Sequence, residues 1–537
     1  MPSNPGRKEF VIFHPPKMNN WYYPFGDTMY IKSMAIGLLA IAEYLERNGI
    51  SSEIIHLGSE FITDPKFDPA EYVNKTRPAV VGISLHWHYQ SYDAIELAKY
   101  IKSKNPDVFL LMGGLTASFF AEEIIKEFNY IDGIIRGDAE IPALTLIQVL
   151  NSENPDLSLV PNLIWRKGKS IISNQISYVA DEKMLDDLEF MDFRLLNKFD
   201  FYINVFGRST SNYIKMLPPS FNMFRRSAPS IVMPVARGCS ANCKWCGGAR
   251  YAHSLSSGRK RYVFRSPKRI IDDMKKASDY GIYNFHFAHY SHPREADYYI
   301  ELFSEVRKAK VKGGAYFECS ALPTKELVDA FKETYGNYEY SCLCLSRMAP
   351  NEEVRKLNVG NYYSNQELFD ILAYIDHKEI PVELTFTLGM PGEKIGDVEK
   401  LRKFRREILA SLRNVRSAAV LTSQLEPGSF WYLEPERFNI QTDRKTFHDF
   451  YDFHSDPYTS YFSHLGYLIK EYCQDQEYTV RWFEKKLLKI RCKYFCLLAS
   501  NSHGTLKNKI GNIKCVLARI IWKVMAVFYK KNPTWHN

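Results

Sequence analysis

Three cysteines stand close together in the run Pro234-Val-Ala-Arg-Gly-Cys-Ser-Ala-Asn-Cys-Lys-Trp-Cys-Gly-Gly248. Cys239, Cys243 and Cys246 form a C-x3-C-x2-C pattern that gathers three sulfurs within eight residues and supplies no fourth. Cysteine thiolates in such numbers hold iron–sulfur clusters, and cluster ligation sets cluster behaviour. A four-iron cluster on three cysteines keeps one iron open to a small molecule, so the site does chemistry rather than only storing an electron. Zinc is the competing metal. Structural zinc takes four ligands in paired short spacings, and no matching C-x2-C or H-x3-H pair follows here.

The seven other cysteines are Cys319, Cys342, Cys344, Cys473, Cys492, Cys496 and Cys515, and they build no regular framework. Free cysteine packs as a small hydrophobe, so core positions are expected for them. An auxiliary cluster on Cys319, Cys342 and Cys344 is the alternative. Cysteines without a disulfide pattern suit a reducing cytosol, and a cytoplasmic location is expected. Secretion is disfavoured, because the N-terminus runs without a leader pattern into Phe10-Val-Ile-Phe13.

The elements that position the cysteines come in two series. The chain of 537 residues, 45% hydrophobic and 24% charged with net charge +9, has the composition of a globular protein of two or three domains. No apolar window of about 18 residues predicts a membrane span. The basic residues are dispersed and suggest no nucleic-acid partner. Across residues 8–150, strands are predicted at Phe10–His14, Ser52–His56, Ala79–Leu85, Val108–Met112 and Ile131–Ile135, with helices between them. This alternation predicts a doubly wound parallel sheet, whose ligands sit beyond the carboxyl ends of the strands. Residues 151–225 read as a connector with a hairpin around Asn162–Ser173, and Pro218–Arg226 as a loop near the cysteines. From Ile231 a second series follows, with strands at Ile231–Ala236, Asn284–His289, Tyr316–Ser320, Tyr338–Leu345, Val382–Leu388 and Ala418–Thr422. Six βα units make a partial (β/α) barrel, and the cysteine loop follows its first strand, at the end where such barrels gather reactive groups.

With Arg-Gly before it and an apolar strand before that, the cysteine pattern resembles the signature of the radical S-adenosylmethionine (SAM) enzymes. The resemblance implies a [4Fe-4S] cluster on Cys239, Cys243 and Cys246, SAM chelated at the open iron, and reductive cleavage of SAM to a 5′-deoxyadenosyl radical. Trp245 fills the aromatic slot beside the adenine, and Gly247 and Gly248 permit close backbone approach. His289 ends the second strand, where such enzymes hold the SAM amino group, and Glu318 and Ser320 end the third, where they hold ribose. An ordinary salt bridge is the alternative for Glu318. Arg347 ends the fourth strand, where relatives more often carry glutamate; it would pair with the SAM carboxylate. Gly389-Met-Pro-Gly-Glu393 and Pro427-Gly-Ser429 match the family's later loops.

The first series resembles the cobalamin-binding domain that precedes many radical SAM enzymes. The matching pieces are Gly113-Gly114, the helix start at Ile36-Gly-Leu-Leu-Ala40, and the turn Arg136-Gly-Asp-Ala-Glu140, where Asp138 departs from the usual residue. The implied cobalamin contacts are Ser84, His86, Gly113, Gly114, Thr116, Gly137 and Glu140. The Asp-x-His-x-x-Gly string that supplies a cobalt histidine elsewhere is absent. His86 and His88 stand after the third strand; solvent-facing loop histidines are the expectation there, and approach to cobalt the alternative. A flavodoxin-like regulatory domain is the alternative for the whole region.

The architecture expected is therefore α/β: a Rossmann-like cobalamin-binding domain over 1–155, a linker over 156–225, a TIM-like partial (β/α)6 radical SAM barrel over 226–435 and a mostly helical C-terminal domain over 436–537. That last domain is aromatic and basic, with His448, His454 and His464, and an amphipathic stripe over Ile513–Tyr529. A packed helical cap is expected of it, with closure over the barrel mouth as the alternative. SAM and cobalamin together imply methylation of an unactivated carbon in a small-molecule or carrier-bound substrate, with a flavodoxin or ferredoxin as electron donor. The alternatives are a cyclisation or rearrangement without methyl transfer, and a cobalamin or redox sensor that never turns over.

Overall fold

The computed structural model describes residues 8–17, 33–64, 66–205, 229–394 and 396–455. The expected loop at Pro218–Arg226, His464 and the stripe over Ile513–Tyr529 lie outside the described residues.

The first sheet has seven strands: β1 (Phe10–His14), β2 (Ser52–His56), β3 (Val80–Ser84), β4 (Phe109–Gly113), β5 (Gly133–Ile135), β6 (Leu163–Lys167) and β7 (Ser170–Ser173). Their order is β2-β1-β3-β4-β5-β6-β7. The first five are parallel, and β6 and β7 close the edge as an antiparallel hairpin. β1 and β3 are buried throughout. Continuous apolar runs of this kind suit a parallel sheet covered on both faces. The hairpin assigned to the connector thus belongs to this sheet. Leu185, Leu188, Phe190, Met191 and Phe193 after it are also buried in the main core, so the segment packs as structure rather than as a loose linker.

The second sheet has six parallel strands: β8 (Ile231–Val232), β11 (Asn284–Tyr290), β12 (Gly314–Cys319), β13 (Cys342–Met348), β14 (Val382–Leu388) and β15 (Val415–Thr422). They run in sequence order from β8 to β15, as a partial barrel requires. The first predicted strand, Ile231–Ala236, is split in the structure. Pro234 has no N–H to give a ladder, so β8 ends before it. Ala236–Arg237 (β9) pairs antiparallel with Val263–Phe264 (β10) instead.

The described C-terminal helix, Phe447–Ser455, packs on the helix Ser91–Lys104 of the first domain and not over the barrel mouth. Tyr451 Oη donates to Glu96 at 2.7 Å, and Phe447 N donates to Glu123 at 2.7 Å. Among the described residues no helix is long and apolar enough to cross a membrane.

Candidate functional site

The loop after β9 carries Cys239, Cys243 and Cys246, all half-buried. Backbone N–H groups turn toward two of the sulfurs: Gly360 N donates to Cys243 Sγ and Gly248 N to Cys246 Sγ, each at 3.3 Å. Hydrogen bonds to sulfur are among the factors that set the potential of an iron–sulfur cluster. Burial pushes the Cys239 thiol up, and hydrogen bonds from Ala241 N–H and the Ser291 hydroxyl work against that. The loop is tied down from three directions. Lys244 N donates to Asn358 O at 2.9 Å, Trp431 N donates to Lys244 O at 3.0 Å, and Gly247 N donates to Glu426 Oε2 at 2.8 Å. A Cβ on Gly247 would lie 2.4 Å from the Pro427 carbonyl oxygen, so only glycine fits there. Ser240 Oγ bonds Glu295, whose carboxylate also accepts from Ser291 N at 2.7 Å.

Trp245, expected beside an adenine, is only 3% exposed and serves as the loop's apolar anchor. It packs with Met390, Leu425 and Trp431, the Trp431 ring centroid 6.1 Å away. Trp431 is itself fixed by a 3.0 Å bond from Nε1 to Asn358 Oδ1. Trp431→Ala is expected to cost about 3–5 kcal/mol through the cavity it leaves. A thermal shift, together with iron content, would measure that loss.

Glu318 and Ser320 share the inner face of the barrel, because Phe317 between them packs outward on Phe303 and Phe331. Glu318 Oε2 lies 3.6 Å from His286 Nε2, and Ser320 Oγ 3.5 Å from Ser346 Oγ. His289 and Arg347 are in β11 and β13, and their side chains lie outside the described residues. Cys319 in β12 and Cys342 and Cys344 in β13 are buried.

At the first sheet, Ser84 ends β3 and Gly113 ends β4, side by side in register. Gly114 has φ +115°, and a Cβ there would lie 2.6 Å from Leu85 O and 2.7 Å from His86 Cα. Gly113 faces open space on that side, its nearest neighbour being Ile135 O at 3.9 Å. Thr116 is turned inward: its N and Oγ1 both donate to His86 O, at 3.2 and 3.1 Å. Gly114→Ala combines a Gly-only backbone with a backbone clash. Strain of about 1–3 kcal/mol is expected, read as a lower melting temperature. Of the histidines, His88 is 3% exposed, with Nδ1 at 3.0 Å from His454 Nε2. His86 is half-buried.

Gly137 and Glu140, expected at cobalamin, lie at the seam between the two domains. A Cβ on Gly137 would lie 2.8 Å from Ser257 Cβ. Glu140 is 1% exposed and bidentate on Arg237, two residues ahead of Cys239. Asp138 accepts from Arg237 Nη1 at 3.0 Å, from Ala180 N at 2.8 Å and from Arg259. Beside this network the short helix Leu115–Phe119, which follows Gly113-Gly114, packs on the helix Arg250–Ser256, which follows the third cysteine. The helix that follows the carboxyl end of β4 therefore touches the helix that follows the cysteine loop. Reasoning from sequence missed Arg237, Arg259, Asn358, Gly360 and the role of Glu426. Only the Leu-Glu-Pro-Gly-Ser loop gave any signal, and that signal did not name a partner.

Two family descriptions match this chain: a B12 binding domain over residues 27–147 and the radical SAM superfamily over residues 233–405. The chain is 25% identical over 221 residues to an uncharacterized methyltransferase of Pyrococcus horikoshii, covering 41% of each. It is 24% identical over 257 residues to the hopanoid C-3 methylase of Methylococcus capsulatus, covering 48% of this chain and 42% of that one. It thus spans less than half the length of either relative. Its fold is similar to that of the radical SAM methyltransferase TsrM from Kitasatospora setae, with TM-score 0.57 and 15% identity, covering 79% of this chain and 76% of the other. The chain thus carries a B12-binding domain followed by a radical SAM domain, the order found in cobalamin-dependent radical SAM enzymes.

Proposed function

We propose that the chain is a methyltransferase that uses a [4Fe-4S] cluster, SAM and cobalamin to methylate an unactivated carbon of a small-molecule or carrier-bound substrate. The observation that supports this reading is the seam, where the helix after Gly113-Gly114 packs on the helix after Cys246. The residues suit the groups. Three half-buried thiols sit in a loop with two N–H groups on the sulfurs, and the sheet edge has room at Gly113. His14 at that edge is fully buried, with neither ring nitrogen bonded among the described residues. When bound, the cluster supplies electrons for SAM cleavage and cobalamin supplies a methyl carrier.

The protein's part is holding, orienting and excluding water. Cys239, Cys243 and Cys246 would hold the cluster. Gly247, Gly248, His289, Glu318, Ser320 and Arg347 would meet SAM, and Ser84, His86, Gly113, Gly114 and Thr116 would meet cobalamin. The apolar bed of Trp245, Met390 and Trp431 keeps water from beneath the loop. A flavodoxin or ferredoxin would deliver the electrons.

Anaerobic reconstitution with iron, sulfide, cobalamin and deuteromethyl SAM tests the proposal. Transfer of the deuteromethyl group to product, with S-adenosylhomocysteine and deoxyadenosine in equal yield, is the expected result. Deoxyadenosine alone would replace methyl transfer with a rearrangement or cyclisation. Release of neither under strong reductant would mark a sensor and end the enzymatic reading.

A further inference from the structure

Four histidines crowd the carboxyl edge of the first sheet, and they are committed to different degrees. His14 ends β1 fully buried, stacked on His56 with ring centroids 5.4 Å apart. His56 ends β2, and its Nδ1 accepts from Ser59 N at 3.1 Å. His88 is turned to His454. His86 alone is half-buried with no ring hydrogen bond among the described residues.

The His86 backbone is nonetheless held firmly. Its N–H donates to Gln90 Oε1 at 3.1 Å, and its carbonyl accepts both Thr116 bonds. Gly114 lies so close that any side chain there would push His86 aside. A rigid backbone carrying an uncommitted imidazole is the arrangement of a preorganised ligand. The place is right as well. Strand order reverses between β1 and β3, and sheets of this kind bind ligands in the crevice at that reversal.

We propose that His86 is a nitrogen ligand to the cobalt of a cobalamin bound at this edge, in place of the absent Asp-x-His-x-x-Gly histidine. This rests on the cobalamin reading above. The experiment is electron paramagnetic resonance of the whole protein loaded with cobalamin and reduced to cobalt(II). Natural-abundance protein should show the three-line splitting of one axial nitrogen, and protein made with 15N-histidine should show two lines. His86→Ala should lose the splitting while retaining cobalamin. A three-line pattern that persists in 15N-histidine protein would assign the nitrogen to the cofactor's own base and overturn the proposal, as would a spectrum without splitting. Splitting that survives His86→Ala in the 15N protein would move the ligand to another histidine. Protein that takes up no cobalamin by its absorption spectrum would overturn the cobalamin reading itself.

Discussion

Cys243→Ala is expected to abolish SAM cleavage while leaving cobalamin bound. Two thiolates in place of three leave a second iron without a protein ligand, and a cluster so held is lost or inert. Cys243 is the middle cysteine of the loop. Its sulfur accepts from Gly360 N, its carbonyl accepts from Cys246 N at 3.2 Å, and the next residue is bound to Asn358. The thiol is half-buried and packs at the margin of the apolar bed, so truncation to alanine removes the ligand while the backbone bonds remain. Iron and sulfide should fall after reconstitution, deoxyadenosine should drop to background, and cobalamin absorbance should persist. Retained cleavage would contradict the assignment of the cluster to these cysteines.

Arg237→Ala is expected to destabilise the protein by about 3–5 kcal/mol, the usual cost of breaking a buried ion pair from one side. Glu140 is 1% exposed and would be left buried without its cation, whereas Asp138 would keep Arg259. Lysine should restore the charge but not the forked geometry, so Arg237→Lys should recover only part of the loss. Replacing both partners, as Arg237→Met with Glu140→Leu, should recover more, because no buried charge is then left alone. Thermal unfolding would rank the three variants, and equal melting temperatures would remove the network from the stability of the seam.

The same network sets a pH dependence. Burial alone would raise the Asp138 carboxyl, but the Arg237 and Arg259 guanidiniums outweigh it and hold the group below the ordinary carboxylate range. A depressed folded value means that the stabilisation is complete above the unfolded value of about 3.9. It is lost as the pH falls through the lower folded value. The wild-type seam should therefore loosen only in strong acid. With Arg237 removed, the acid limb of a melting-temperature profile should move to higher pH.

Several elements were readable from the chain because their cause is local. β1, β2 and β14 match their predicted bounds, since a run of buried Val, Ile and Leu between turn residues has few other folds. The helix Asn365–His377 has a local cause of the same kind, the Ser364 and Glu367 capping box that opens it. The first barrel strand did not match, because apolar character runs on through Pro234 while the hydrogen-bond ladder cannot. The hairpin after β5 was placed in the linker because hairpin signals show pairing within two strands and not which sheet edge they join. An aromatic beside a cysteine gives no direction, and the apolar bed that Trp245 fills is drawn from residues as distant as Phe438 and Ile440.

The number and spacing of thiols in one loop, and the glycines where strands end, follow from covalent order over a few residues, which is why the type of metal site and the two-sheet plan were available before any coordinates. Whether Glu140 meets Arg237, whether His88 faces solvent or His454, and whether the helix after Gly113-Gly114 packs on the helix after Cys246 depend on pairs separated by 97, 366 and more than a hundred residues. Such pairs form only after two sheets have packed, and the low dielectric of the closed seam then selects which charges stay together.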